Sequence, residues 1–266
     1  MCYFNAQKLK NQHPLKLAQY SIALDEMHQP DDAVQVGFTY PTAVVIKPAS
    51  NGPQATLMEW GFIPSYIPNR ESLQRFRFGG IHPETGRFEP PIITLNAISE
   101  DLLSKPTYKH AALTHHCLIP STGFFEWQHI YPISKKTGQP LKTATKIPYF
   151  IHLQNQPVFF MAGIWTPWTD QQTGEYTESF SILTTRANSL MEQIHNQKKR
   201  MPVILSESAA VAWLFNQISP AGIEQILQNT VSENSMEAWP VAKDFQKCAE
   251  PSDVFNWPNL PPLRRN

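Results

Sequence analysis

Four short stretches place reactive side chains among residues that otherwise read as core: MC at the start, TLNA around Asn96, GFFEW around Glu126 and IHNQKKRMP around His195. A methionine followed by a residue as small as Cys2 is expected to be trimmed, which leaves a free amine and a thiol on one residue. Glu126 lies between Phe125 and Trp127, where an ionised carboxylate costs several kcal/mol to desolvate unless it is paired or protonated. Each residue also has a plain structural explanation. In a strand Glu126 points away from both neighbours, toward a solvated face. Asn96 follows a β-type run, and asparagine commonly ends a strand by bonding to its own backbone. His195 closes a helical stretch, where the helix dipole favours a cation, and Lys198, Lys199 and Arg200 fit a solvated turn.

The elements that must position these residues are legible in outline. A chain of 266 residues with 41% hydrophobic, 17% charged and 11% aromatic residues has ample material for one large core. The 22 basic and 22 acidic residues balance, so any polyanion must be met by a local patch. Three widely spaced cysteines, Cys2, Cys117 and Cys248, fit neither a disulfide framework nor a CxxC metal site and point to a reducing compartment. The chain shows no run of the eighteen or so apolar residues that a membrane span needs, so a cytoplasmic location is expected.

Residues 5–24 read as one or two short helices interrupted at Pro14, HQPDDA as a polar turn, and TAVVIK and TLMEWGFIP as strands. RFRFGGIHPETGRFE reads as a hairpin with Arg75, Arg77 and Arg87 near its arms. Strands are expected at IITLNA, CLIPSTGFFEWQHI, IPYFIHL, PVFFMAGIWTPW, ESFSILTT and MPVIL. Helices are expected near SEDLLSKPTYKHAAL, at ANSLMEQIH and at SESAAVAWLFNQI, with Ser206 as N-cap. Residues 251–266 form a proline-rich tail, expected to lie extended or disordered. Strands joined by short turns, with helices clustered at particular places, predict a single α+β domain, residues 1–250, with a curled, mainly antiparallel, barrel-like sheet and flanking helices.

Taken together and in order, MC, WGFIP, TLNA, CLIPSTGFFEW, IPYFI, FFMAGIW, SILTT and IHNQKKRMPVIL resemble the SOS response-associated peptidase (SRAP) family. The resemblance implies a SRAP fold and a protein that senses abasic sites in single-stranded DNA and crosslinks to them through the cysteine exposed after methionine removal. It implies roles for Cys2 as nucleophile, Asn96 in positioning, Glu126 in proton handling and His195 in sugar-ring opening and reversal. It also implies autoproteolytic peptidase and lyase activity, and nucleoid association in a bacterial cytoplasm. The chemistry is coherent on its own terms. An α-amine with an ordinary pKa of about 7.7–8.0 is substantially neutral near pH 7–8 and forms a Schiff base with an aldehyde, after which the thiol closes a thiazolidine. A carboxyl raised by an apolar setting such as Phe125 and Trp127 gives and takes the protons of dehydration, and an imidazole can protonate the departing ring oxygen. No cofactor, metal, membrane or obligatory protein partner is called for. With Met1 attached, the Cys2 nitrogen is an amide and forms no Schiff base.

The chain departs from the family pattern in two places. The family's usual MCGRF is MCYFN here, and its usual NAR is Asn96, Ala97, Ile98; each change removes an arginine, while Glu100 keeps the acidic position. The candidate DNA contacts are Tyr66, Arg75, Arg77, Thr184, Lys198, Lys199 and Arg200; Trp60 and Phe62 are better read as core. Two other classes remain open at this level: an N-terminal-nucleophile amidotransferase, whose usual MCGI start and glutamine-binding residues are not traceable, and a non-catalytic single-strand-binding module. With few local cations, the slope of log K against log salt for single-stranded DNA is expected at roughly −2 to −4; a titration giving a slope near zero would remove DNA from this reading.

Overall fold

The computed structural model describes residues 2–10, 14–25, 34–215 and 217–264. The chain runs through β1 (Phe4–Ala6), a small hairpin of β2 (Leu15–Leu17) and β3 (Tyr20–Ile22), β4 (Gln35–Val36), and the long hairpin β5 (Thr42–Ala49) and β6 (Gly52–Trp60). Next come α1 (Arg70–Phe78), the two-residue strands β7 (Gly80–Ile81) and β8 (Phe88–Glu89), β9 (Asn96–Ile98) and α2 (Pro106–Thr114). The middle of the chain is β10 (His116–Ser121), β11 (Gly123–Ile130), β12 (Thr145–Leu153), β13 (Phe159–Thr169) and β14 (Tyr176–Arg186). It finishes with α3 (Ser189–Ile194), β15 (Arg200–Pro202), β16 (Ile204–Leu205), α4 (Glu207–Phe215), α5 (Pro220–Gln228) and β17 (Met236–Pro240).

Strands β14, β6, β5, β10 and β13 pair in that order, and β13 pairs back onto β14, so this ring closes into a five-stranded barrel. Its pairings are antiparallel except β14 with β6. A second, five-stranded sheet has the order β17, β12, β11, β1, β4. The alternation of side chains along the barrel strands divides two cores. One face, with Val44, Ile46, Leu118 and Ile164, is covered by α2, α4 and α5 through Ala112, Trp213 and Ile223. The other, with Val45, Met58, Ile119, Met161 and Phe180, shares one apolar cluster with Phe124, Ile147 and Ile151 of the second sheet. Cys2 belongs to this shared seam. No helix among the described residues is long and apolar enough to cross a membrane.

Several expectations are corrected. The described parts of the segment, residues 5–10 and 14–24, are not helical: Asn5 and Gln7 spend their side chains on buried hydrogen bonds, and Leu15, Leu17 and Ile22 alternate into the core as strand residues do. The arginine-bearing stretch expected as a hairpin is mostly the helix α1, capped by Asn69, whose Oδ1 accepts from Ser72 N at 2.8 Å; only a short hairpin follows it. Lys105 and Pro106, rather than residue 99, start α2; residues 99–101 form a single 3₁₀ turn. HQPDDA lies outside the described residues.

The close approach of β11 to β12 sets a testable constraint. A Cβ at Gly123, opposite Ala6, would stand inside the Phe150 ring and 3.0 Å from the Ile151 carbonyl oxygen. Gly123→Ala is therefore expected to destabilise the protein by about 1–3 kcal/mol, read as a lowered midpoint in chemical denaturation; an unchanged midpoint would mean that β12 yields without cost.

Candidate active site

Cys2 precedes β1, an inner strand between β11 and β4. Buried amides stitch this strand down. Gln7 Nε2 donates to the carbonyls of Val44 and Pro120, each at 2.8 Å, and Gln7 Oε1 accepts from Val44 N at 3.1 Å and Gln35 Nε2 at 2.9 Å. Asn5 Oδ1 accepts from Ser121 Oγ at 2.6 Å. Satisfied amides of this kind fix a register more firmly than apolar contacts alone. They tie the N-terminal strand to the barrel strands β5 and β10 as well as to its own sheet. Cys2 is fully buried, and Asn96 Nδ2 donates to its carbonyl at 2.9 Å. Asn96 opens β9, which runs parallel to β14 with Asn96 beside Ile182. Its own Oδ1 is buried with no hydrogen-bond partner among the described residues. Burial pushes the Cys2 thiol well above its usual range, and the charge of Glu126 adds to the rise.

Glu126 does point away from Phe125 and Trp127, but into the interior. Phe125 and Trp127 pack with Phe150 and Phe245 on one side of β11, while Phe124 joins the seam cluster with Cys2 on the other. The face expected to be solvated is buried, and the apolar setting of the carboxyl is the seam itself rather than its two sequence neighbours. Burial raises Glu126 to about 7. His195 follows α3, its Nε2 3.8 Å from Glu126 Oε2. Its Nδ1 lies 2.8 Å from the Arg200 carbonyl and 3.3 Å from the Arg200 backbone N–H, so Arg200 holds the Nδ1 edge of the ring in either tautomer and turns Nε2 toward Glu126. Burial pulls His195 down to about 4. Near pH 7 the pair is thus a neutral imidazole beside a carboxyl balanced between its acid and its base.

Side chains without a place in the sequence reading hold this pair together. Asn196 accepts from His129 N at 3.0 Å and donates to His129 O at 2.9 Å, and Gln128 Nε2 donates to Gln193 O at 3.1 Å. The α3 end is thereby clamped to β11 on both sides of His195, through the two strand residues, Gln128 and His129, that follow close after Glu126. The available signal was polarity: Gln128 shares the parity of Glu126 on the strand, and Asn196 adjoins His195. Glu100 takes two bonds from Arg200, at 2.8 and 2.7 Å; although burial opposes its charge, these hold Glu100 at about 2.

The structure distributes the candidate DNA contacts unevenly. Tyr66 is 63% exposed, and Lys199 and Lys198 are exposed on the turn after α3. Arg75 is partly exposed and pairs with Glu71. Three placements differ from expectation. Arg77 is turned inward, stacked over Tyr40 and paired with Glu59, because the segment is a helix with an inner face. Thr184 is buried, its hydroxyl donating to Ala97 O at 3.4 Å. Arg200 spends its guanidinium on Glu100 and the Thr184 carbonyl. Trp60 and Phe62 are core residues. Among the described residues, no group of three or more His, Cys, Asp or Glu side chains is arranged to hold a metal ion.

A family model described as SOS response associated peptidase (SRAP) matches residues 1–248. The chain is similar to the abasic site processing protein YoqW of Bacillus subtilis, 31% identical over 170 residues that cover 64% of this chain and 69% of that protein. It is also similar to the abasic site processing protein HMCES of Gallus gallus, 28% identical over 177 residues, 59% of this chain and 44% of that one. A crystal structure of a protein from Bacteroides thetaiotaomicron superimposes with a TM-score of 0.72 at 30% identity, covering 95% of this chain and 97% of the other.

The opposed shifts of Glu126 and His195 give stability a definite pH dependence. Glu126 has a folded pKa of about 7 against an ordinary 4.5. The unfolded chain loses this proton first, so the cost of burying the carboxylate is absent below about 4.5, grows as pH rises and is complete above about 7. The shift of His195, to about 4 from 6.5, works the other way: its cost is absent above 6.5 and grows as pH falls toward 4. Glu126→Gln is therefore expected to stabilise the protein at pH 8 by on the order of 1–3 kcal/mol, an advantage that disappears at pH 4.5. Thermal unfolding of both forms across that range checks it; a difference independent of pH would contradict it.

Proposed function

The chain belongs to the SOS response associated peptidase family, and from that premise and the geometry of the seam we propose that it processes abasic sites in single-stranded DNA by joining the lesion covalently to Cys2 after Met1 is removed. The function that its relatives are named for, abasic site processing, supports the reading. The observation that carries it is the placement of Cys2, pinned through its carbonyl by Asn96, in the electrostatic field of a buried Glu126 whose pKa lies near 7.

The ring-opened abasic sugar presents an aldehyde. A buried, protonated thiol is a poor first nucleophile, so the Cys2 α-amine attacks the aldehyde carbon, and a proton passes from nitrogen to oxygen to give the carbinolamine. Protonated Glu126 gives its proton to that hydroxyl, which leaves as water and leaves an iminium beside the Glu126 carboxylate. The Cys2 sulfur then adds to the iminium carbon, its proton returns to Glu126, and the nitrogen recovers its electron pair in the thiazolidine ring. One water is lost overall and Glu126 is regenerated. His195, neutral at pH 7, is suited to accept a proton rather than to supply one, so it serves the opening of the closed sugar as the base for the anomeric hydroxyl; acid duty falls to Glu126. In this reading Asn96 Oδ1, buried with no hydrogen-bond partner among the described residues, accepts a hydrogen bond from the Cys2 amine or the lesion.

Intact-mass spectrometry after incubation with an abasic single-stranded oligonucleotide tests the reading. The expected product is the Met1-free chain plus the oligonucleotide minus one water. Cys2→Ser is expected to give only a borohydride-reducible adduct, and Glu126→Ala to slow formation by about 10²- to 10⁴-fold. Full-rate adduct formation by a chain with its Cys2 amine acetylated, or glutamine hydrolysis without any DNA adduct, would overturn it.

A further inference from the structure

Residues 249–264, beyond the family match, have no helix and no long strand, and they are docked rather than loose. Lys8 pairs with Glu250, Trp239 Nε1 donates to Ser252 O at 2.7 Å, Phe255 N to Pro240 O at 2.8 Å and Trp257 Nε1 to Val241 O at 2.8 Å. The chain then crosses from β17 toward α3. Trp257, Leu260 and Leu263 pack against the same apolar cluster that contains Cys2, Leu190 and Ile194. Pro258, Pro261 and Pro262 restrict this segment before it docks, which lowers the entropy lost on ordering it.

Its end meets one side chain. Arg264 N donates to Gln193 Oε1 at 2.7 Å, and Gln193 Nε2 donates back to Arg264 O at 2.8 Å. The Gln193 amide thus pairs with the tail backbone as a neighbouring strand would. Gln193 also accepts at its own carbonyl from Gln128 Nε2, and Gln128 Oε1 accepts from Tyr149 OH at 3.3 Å. Gln193 stands two residues before His195, and Gln128 two residues after Glu126 on the same face of β11.

We propose that residues 249–264 form a strap that sets the separation of Glu126 and His195 through Gln193, making Gln193 a positioning residue and the tail part of the proton-handling device. The catalytic consequence rests on the Cys2 reading above; the mechanical one does not. A pair 3.8 Å apart is sensitive to its mounting, since displacements of about 1 Å around reacting groups can cost up to 10²-fold in rate.

The test uses the full chain with Leu260→Asp/Leu263→Asp, which removes the strap's apolar hold and leaves Gln193 in place, and with Gln193→Met, which keeps side-chain length and loses both bonds to Arg264 together with the Nε2 bond to Ser189 O at 3.1 Å inside α3, so that the leucine pair separates the strap from that local bond. In both, hydrogen exchange of the Glu192 and His195 amides, which bond to Asn188 O and Met191 O, is expected to accelerate at least tenfold while the β13 amides stay protected. Adduct formation with abasic single-stranded DNA is expected to slow about tenfold, with a displaced pH midpoint, and Gln193→Glu, which keeps the acceptor for Arg264 N, to recover part of the rate. Unchanged α3 exchange in Gln193→Met would overturn the strap. So would accelerated exchange with an unchanged rate and pH midpoint. If the unaltered chain forms no adduct, the Cys2 reading fails instead, and the exchange data still decide the mechanical coupling.

Discussion

A carboxyl group buried on both sides of its strand is the constraint around which the rest of the site is arranged. β11 sends Phe125 and Trp127 into one apolar cluster and Phe124 into another, so Glu126 has no face of the strand on which to meet bulk water. Desolvation drives it toward the neutral form, and the neighbouring groups respond to the same low dielectric: His195 is held neutral and the Cys2 thiol protonated. The result is a set of groups that carry little net charge at rest and can exchange protons when a polar reactant arrives.

Such a site works only if its parts cannot drift. The strand after Cys2 is three residues long, too short to be fixed by its ladder alone, and the Asn5, Gln7 and Gln35 amides supply the missing definition by reaching Val44, Pro120 and Ser121. On the opposite wall, Asn196 and Gln128 bind the α3 end to β11, and the Glu100–Arg200 pair steadies the residue whose carbonyl orients His195. Arginines and polar residues that look from sequence like ligands for DNA thus include several that are consumed in building the frame. Arg77 and Arg200 are the clearest cases, whereas Lys198 and Lys199 are exposed on the turn after α3, Lys199 within 3.6 Å of Glu192.

The strands were legible because runs such as TAVVIK, FFMAGIW and SILTT have no other comfortable state. The barrel that they close arises from pairings between distant segments, which no local pattern encodes. The N-terminal stretch misled because Gln7, Lys8 and Leu9 favour helix, whereas its conformation is decided by buried hydrogen bonds to residues more than a hundred positions away. RESLQRFRF was obscured by the glycines and proline just after it, although Asn69 is an ordinary N-cap. Glu126 illustrates the limit best. Strand alternation gives its direction correctly, but whether that direction leads to solvent or to a second core depends on where the barrel lies.

The proposed chemistry stands or falls on the proton held by Glu126 near neutrality, and a ¹³C carboxyl NMR titration of that side chain, assigned by difference with Glu126→Gln, measures it directly. A midpoint near 7 is predicted; a midpoint at the ordinary carboxylate value of 4.5 would mean that the seam is wet and that Glu126 cannot be the acid that this chemistry needs.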